Sequence, residues 1–337
     1  MEEYDNMYSI INLDFLKQFI ESNIDEDEKY DITELFDIDE IYNPRKEKNC
    51  ISVSLFAQNV NNVEPSMDCP DYKDKNSHWY NKYYKQLIQF IKDFNCLPFY
   101  NSYKIRLYLE NQLLCFADEL LSLSPRLEIY YMKHNSIGAQ PGMLWRFMTF
   151  DDVELDIVFA SDIDVCLDDH ISNKLRPFIQ STKTLGRLHG YSHDYRIDKT
   201  DPDSPLNYAV CLGSMIAMRP KQLDICIKDI MIQYILYRRF RSKSEKPWEE
   251  FTDKDTERFN KPIGNHVNGW GGIWSMYGFD EKLFKHTIFP HLVKKGEVIS
   301  WIPNEHEIIV NSCKPTYPYI IDYNFIKQYN NESVKMF

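Results

Sequence analysis

The sequence predicts an α/β fold, a mostly parallel sheet flanked by helices. Two observations predict it. Between Ile51 and Ala160, short runs of β-branched and apolar residues alternate with longer segments whose apolar residues recur every three or four positions. That alternation is the signature of strands joined by crossover helices. The 337 residues are also 43% hydrophobic and 27% charged, which gives the chain the apolar mass of a folded globule.

The elements follow in chain order. Residues 1–48 are acidic, contain EDEKYDITELFDIDE and carry no glycine; they read as an N-terminal helical extension or cap, or as a solvated arm. ISVSLF (51–56) is a buried strand that delivers the chain into polar AQNVNN. In WYNKYYKQLIQFIKDF (79–94), Tyr80, Tyr83, Tyr84, Leu87, Phe90 and Ile91 share one helical face. KIRLYLE (104–110) is a strand, NQLLCFADELLSL a helix, LEIYYM (127–132) a strand, PGMLWRFMTFDD a helix with proline near its start, and LDIVFA (155–160) a strand. The rhythm then weakens into a helix near 169–179, the polar stretch GYSHDYRIDKTDPDSP, a strand-like run YAVCLGSMIAM (208–218) and a long helix over about 220–239. Five of the eleven glycines fall between 264 and 278 and mark a loop; the helix EKLFKHTIFPHLVKK follows it. The tail past Asn304 is irregular.

Composition narrows the function classes. With 39 Lys and Arg against 51 Asp and Glu, the net charge is −12, which disfavours a polyanion such as nucleic acid as partner. No run approaches the roughly 18 apolar residues of a membrane helix, and MEEYDNMYSI lacks the basic and apolar regions of a signal peptide. The expectation is a cytoplasmic protein. The eight cysteines never occur as CxxC, so free thiols in a reducing compartment are expected rather than a zinc site.

The chemistry concentrates after the strand 155–160, where the chain continues Ser161-Asp162-Ile163-Asp164. Two carboxylates two residues apart at the end of a buried strand can flank a hard divalent cation, directly or through water. Mg²⁺ or Mn²⁺ there would neutralise the acids, bridge a diphosphate and stabilise charge on a departing phosphate oxygen. The bland alternative for a bare D-x-D is a pair of solvated loop acids.

The order of GMLWRF (142–147), an apolar strand, SDID (161–164), the strand CLGSMIAMRP (211–220) and YGFDEKLF (277–284) resembles nucleotide-sugar glycosyltransferases of the GT-A fold, over roughly residues 50–300. The resemblance implies a metal-dependent enzyme that moves a sugar from a UDP- or GDP-sugar to a hydroxyl acceptor on a glycan, protein or small molecule. It implies that Asp164 binds the metal most directly, while Asp162 reaches the donor ribose or metal-bound water. Arg146 matches a basic residue near the donor nucleotide or its phosphates, where it could also brace the aspartates. Leu55 and Phe56 match the segment that cups the base, mainly through backbone. Gly213 and Ser214 match the segment behind the donor sugar. Asp280 and Glu281 match an acidic pair facing the acceptor or sugar, and in an inverting transferase such a carboxylate is the general base. His306 matches a third metal ligand. Each has a plainer alternative: core packing for Leu55 and Phe56, a surface arginine for Arg146, helix-start acids for Asp280 and Glu281, a surface histidine for His306.

The corresponding domain reading is an acidic extension (1–48), a GT-A-like catalytic domain (49–303) and a tail packed on it (304–337). Closure of the glycine-rich loop over the donor would exclude water. Rival readings are a haloacid-dehalogenase-like phosphatase, which would not place Cys166 two residues after the second aspartate; a polymerase-β-like nucleotidyltransferase, in which Gly-Ser precedes D-x-D; and a non-catalytic module that binds a nucleotide sugar or carbohydrate on a GT-A scaffold. No G-x-S-x-G elbow supports a hydrolytic triad.

Overall fold

In a computed structural model, the described residues are 11–57, 74–77, 79–134, 141–164, 167, 175–176, 178–189, 211–244, 279–302 and 319–322. Their nine strands are β1 Ile38–Tyr42, β2 Asn49–Leu55, β3 Tyr103–Leu109, β4 Leu127–Met132, β5 Ile157–Ala160, β6 Leu185–His189, β7 Cys211–Met218, β8 Val298–Ile302 and β9 Tyr319–Asp322. They form one sheet in the order β1-β4-β3-β2-β5-β7-β6-β8-β9. The core run β4-β3-β2-β5 is parallel throughout, and β6 and β8 are parallel to each other. β7 runs antiparallel between β5 and β6, and both edge strands, β1 and β9, are antiparallel to their neighbours. The architecture is a mixed α/β sheet of Rossmann-like type, parallel in its core and mixed beyond β5.

The helices are α1 Leu13–Asn23, α2 Glu26–Glu34, α3 Lys85–Cys96, α4 Ala117–Leu123, α5 Gly142–Trp145, α6 Ile227–Ser244, α7 Phe279–Leu283 and α8 Phe289–Lys294. A π-helical turn, Tyr80–Tyr84, opens α3, and a second, Phe284–Ile288, joins α7 to α8. Alternation along each strand sorts side chains to the two faces. On one face Ile51, Val53 and Leu55 of β2 pack with Leu87, Phe90, Ile91 and Phe94 of α3 and Leu120 of α4. On the other, Cys50 joins Trp145, Phe147, Phe150, Ile235 of α6 and Phe284. The crossover β2-α3-β3-α4-β4 moves one way from β2, and the chain then returns to add β5 on its other side. The order therefore reverses between β2 and β5, and the crevice outside the carboxyl ends of those two strands is where an open α/β sheet takes a ligand.

Two expectations about the ends of the chain are revised. The acidic N-terminal segment, read as a helical cap or an arm, contains α1 and α2, which pack on α6, but also the edge strand β1 paired with β4. Asn12 caps α1 through Asp14 N at 2.8 Å, and Asp25 caps α2 through Glu28 N at 2.7 Å. Indole Nε1 of Trp145 donates to Leu35 O at 2.9 Å, so this segment holds the helix that leads to Arg146. In the tail, to which the sequence assigns no element, Tyr319–Asp322 is a strand on β8. β6 and β8 were not anticipated: TLGRLH has no sustained apolar run, and only position in a sheet makes it a strand. The region of the helix expected near 169–179 is described only at 175–176 and 178–179.

Candidate functional site

β5 is short because its ladder to β2 ends at the Ser52–Ala160 pair, after which only Ser161 N reaches back to Ser52 O, at 3.0 Å. Asp162, Ile163 and Asp164 then leave the sheet at the crevice. Ile163 turns into the apolar layer beneath α3, being 7% exposed, while Asp162 is half-exposed and Asp164 exposed. Alternation thus presents both carboxylates of the D-x-D away from that layer.

Arg146 enters from the opposite face of the sheet. Its position is fixed by a chain of buried hydroxyls: Tyr108 and Thr149 lie 2.9 Å apart, Thr149 and Ser52 2.8 Å, and Ser52 Oγ donates to the Arg146 carbonyl at 2.6 Å. The residue is 6% exposed, and its guanidinium joins residues distant in sequence. Nη1 pairs with Asp162 Oδ1 and donates to Ser161 O at 3.3 Å; Nη2 pairs with Asp280 Oδ2 at 2.8 Å. Nε is buried with no hydrogen-bond partner among the described residues. Burial works against the guanidinium charge, and the carboxylates of Asp162 and Asp280 outweigh it, so Arg146 holds its proton more tightly than a free arginine.

Asp280 begins α7 and is 5% exposed. Burial raises its carboxyl pKa, Arg146 opposes that, and the charge of Asp162 adds to it; the net shift is upward. Partial desolvation and the neighbouring Asp162 likewise raise Asp164, against its own backbone, Lys82 and Arg146. One arginine therefore faces three aspartates. The donors here are hard carboxylate oxygens, the chemistry that Mg²⁺ and Mn²⁺ select. Among the described residues, no group of three His, Cys, Asp or Glu side chains is assembled to hold a metal, and His306 lies outside them.

The end of β2 forms the other lip of the crevice, and its backbone is pinned at three successive residues. Leu55 O accepts from Glu110 N at 3.1 Å, Phe56 O accepts from Trp79 Nε1 at 3.0 Å, and Ala57 N donates to Glu110 Oε2. Phe56 sits edge-on to Trp145, with ring centroids 6.5 Å apart. Gly142 lies so close beneath it that a Cβ there would overlap the Phe56 ring. Only glycine fits that approach.

Of the residues singled out from the sequence, Arg146, Asp162 and Asp280 meet directly. Asp164 stands beside them, Leu55 and Phe56 lie at the end of β2, Leu55 buried in the layer beneath α3, and Glu281 follows Asp280 in a half-buried position. Gly213 and Ser214 lie in β7, whose pairing with β5 runs as far as Ile216 and Ala160. The glycine-rich stretch 264–278 lies outside the described residues. Sequence reasoning missed Glu110, Trp79 and Gly142. Glu110 carries the same signal as the D-x-D, an acid ending an apolar strand, and Trp79 stands at the start of the helical segment, ahead of the residues whose periodicity defines its face.

No protein-family model and no curated protein matches the chain. Among solved structures it is similar to the crystal structure of S. aureus TarS, residues 1–349, with 11% sequence identity and a TM-score of 0.31 over 56% of this chain. The chain spans about half that structure, 55% of its length, and an overlap so loose does not bear on function.

Proposed function

We propose that this protein is a GT-A-type glycosyltransferase that moves a sugar from a nucleotide-diphosphate sugar to a hydroxyl acceptor. One observation carries the reading: at the topological switch point, a buried arginine ties the first aspartate of a D-x-D to a second, distant aspartate and leaves the local charge negative. A site for a donor diphosphate needs that imbalance only if a divalent cation completes it, and the order of the sequence motifs fits the same reading.

In this proposal Asp164, with the second oxygen of Asp162, would hold Mn²⁺ or Mg²⁺, and donor phosphates and water would fill the other positions. The bound cation would supply charge stabilisation for a leaving nucleoside diphosphate. Arg146 keeps the Asp162 carboxylate in one orientation, because its two bonds fix the guanidinium plane. The pinned peptide groups of Leu55, Phe56 and Ala57 offer the base a rigid edge that costs no ordering on binding. Gly213 and Ser214 would back the donor sugar. Asp280 is reassigned: a buried carboxyl already bonded to a guanidinium is poorly placed to take an acceptor proton, so it positions Arg146, and Glu281 takes the general-base role of the pair.

The test is a panel of UDP- and GDP-sugars with and without Mn²⁺, read by release of the nucleotide. Slow metal-dependent release from one donor, lost in Asp164→Asn, is the expected outcome. Metal-dependent cleavage of a generic phosphate ester with no donor turnover would instead support the phosphatase, and nucleotide-sugar binding without release would support the non-catalytic module.

A further inference from the structure

Arg146 is spent on Asp162 and Asp280, so a side chain that meets the diphosphate directly, beside the proposed cation, has to come from elsewhere. The opposite face of the sheet supplies it. The π-helical turn Tyr80–Tyr84 is anchored at its start by Trp79, whose indole donates to Phe56 O at 3.0 Å and whose ring stacks on Tyr84 with centroids 6.2 Å apart. This places the turn against the end of β2, beside the crevice. π-Turns inside helices recur at functional sites because the extra residue redirects side chains. Lys82 lies in this turn, exposed, with Nζ 4.9 Å from the centroid of the Tyr83 ring. The Lys82 charge, like that of Arg146, opposes the rise of the Asp164 carboxyl.

We propose that Lys82 is a phosphate-binding residue of the donor site, approaching the diphosphate from the α3 face while Arg146 braces the D-x-D from the α5 face. The inference rests on the donor-site reading and adds to it the residue that receives the phosphates. Lysine chemistry suits this role, because a compact ammonium on a flexible stem follows a phosphate that moves between bound donor and departing product, whereas the buried Arg146 cannot move.

The experiment is calorimetric titration of the full-length chain with UDP and GDP in the presence of Mn²⁺, with uridine and guanosine as phosphate-free controls. Lys82→Gln should weaken binding of the diphosphate about tenfold, the size of one charge-assisted contact, and leave nucleoside affinity and the unfolding midpoint unchanged. Lys82→Arg should restore most of the loss. Diphosphate affinity equal to wild type in Lys82→Gln would overturn the assignment while leaving the donor site standing, and so would an equal loss for the nucleosides, which would mark a structural role. Failure of the wild-type chain to bind either diphosphate would overturn the donor site and this residue with it.

Discussion

Two buried charge clusters lie at opposite ends of the parallel part of one sheet. At the amino ends of β3 and β4, Glu128 bonds Arg106 Nε at 2.6 Å and Lys104 Nζ at 3.1 Å, and accepts the Arg45 backbone N–H at 2.9 Å; Arg106 also reaches Asp152 at 2.8 Å and lies 4.3 Å over the Tyr130 ring. Two cations meet two anions, and both oxygens of the central carboxylate are bonded. At the carboxyl ends, one arginine meets three aspartates, two of which reach solvent. A closed, neutral network serves the fold. An open one with surplus charge draws on solvent or a ligand, and this difference sets the scaffold apart from the candidate site on one sheet.

The largest effect should come from the closed cluster. Glu128→Ala leaves Lys104 and Arg106 buried without their shared anion and is expected to cost about 3–5 kcal/mol, measured by urea unfolding. Arg146→Ala should cost less, about 1–3 kcal/mol, because Asp162 turns to water and Asp280, whose carboxyl already sits above its ordinary range, can take a proton. The sign of the pH dependence follows. A carboxyl raised in the folded state favours folding at low pH, and that contribution is lost as pH climbs above the ordinary carboxylate value of about 4. Removing Arg146 removes the opposing charge, so the variant should lose more stability than wild type as pH rises through and above that value. A flat difference between the two would mean that Asp280 is not the group responding.

Gly142→Ala sharpens the comparison at the lip of the crevice. The added methyl must displace the Phe56 ring, at a cost of about 1–3 kcal/mol, and nucleotide affinity should fall with it. Glycine at 142 then matters to both fold and site. Asp164→Asn should leave stability within about 0.5 kcal/mol of wild type, since it relieves repulsion from Asp162 and breaks no ion pair among the described residues. The smallest effect concerns the thiols. Burial pushes the Cys50 thiol up to about 12, so under native conditions alkylation should label the exposed Cys96 and Cys115 and spare Cys50.

How much of this was legible in the sequence depends on the range of the interaction. β2 to β5 and α3 could be read because each announces itself within ten or so residues by period and β-branching, and the D-x-D could be read because it ends such a strand. The meeting of Arg146 with Asp280 spans 134 residues and left no local trace; it came within reach only through the order of motifs. β6 and β9 are strands by virtue of their neighbours, and β1 lies in a segment whose charge pattern resembles an exposed helix. Trp79 and Glu110 show a different obstacle. Both look like core or loop residues until their hydrogen bonds to Phe56 and Ala57 are seen.

The central claim is that the surplus negative charge at the carboxyl ends of β2 and β5 is a cation-dependent diphosphate site. Calorimetric titration of UDP and GDP into wild type and Asp164→Asn, each with Mn²⁺ and with chelator, tests it most directly. The expected result is binding of one diphosphate to wild type with Mn²⁺ only, abolished in the variant at an unchanged unfolding midpoint. Binding that persists in chelator, or in Asp164→Asn with Mn²⁺, would contradict it.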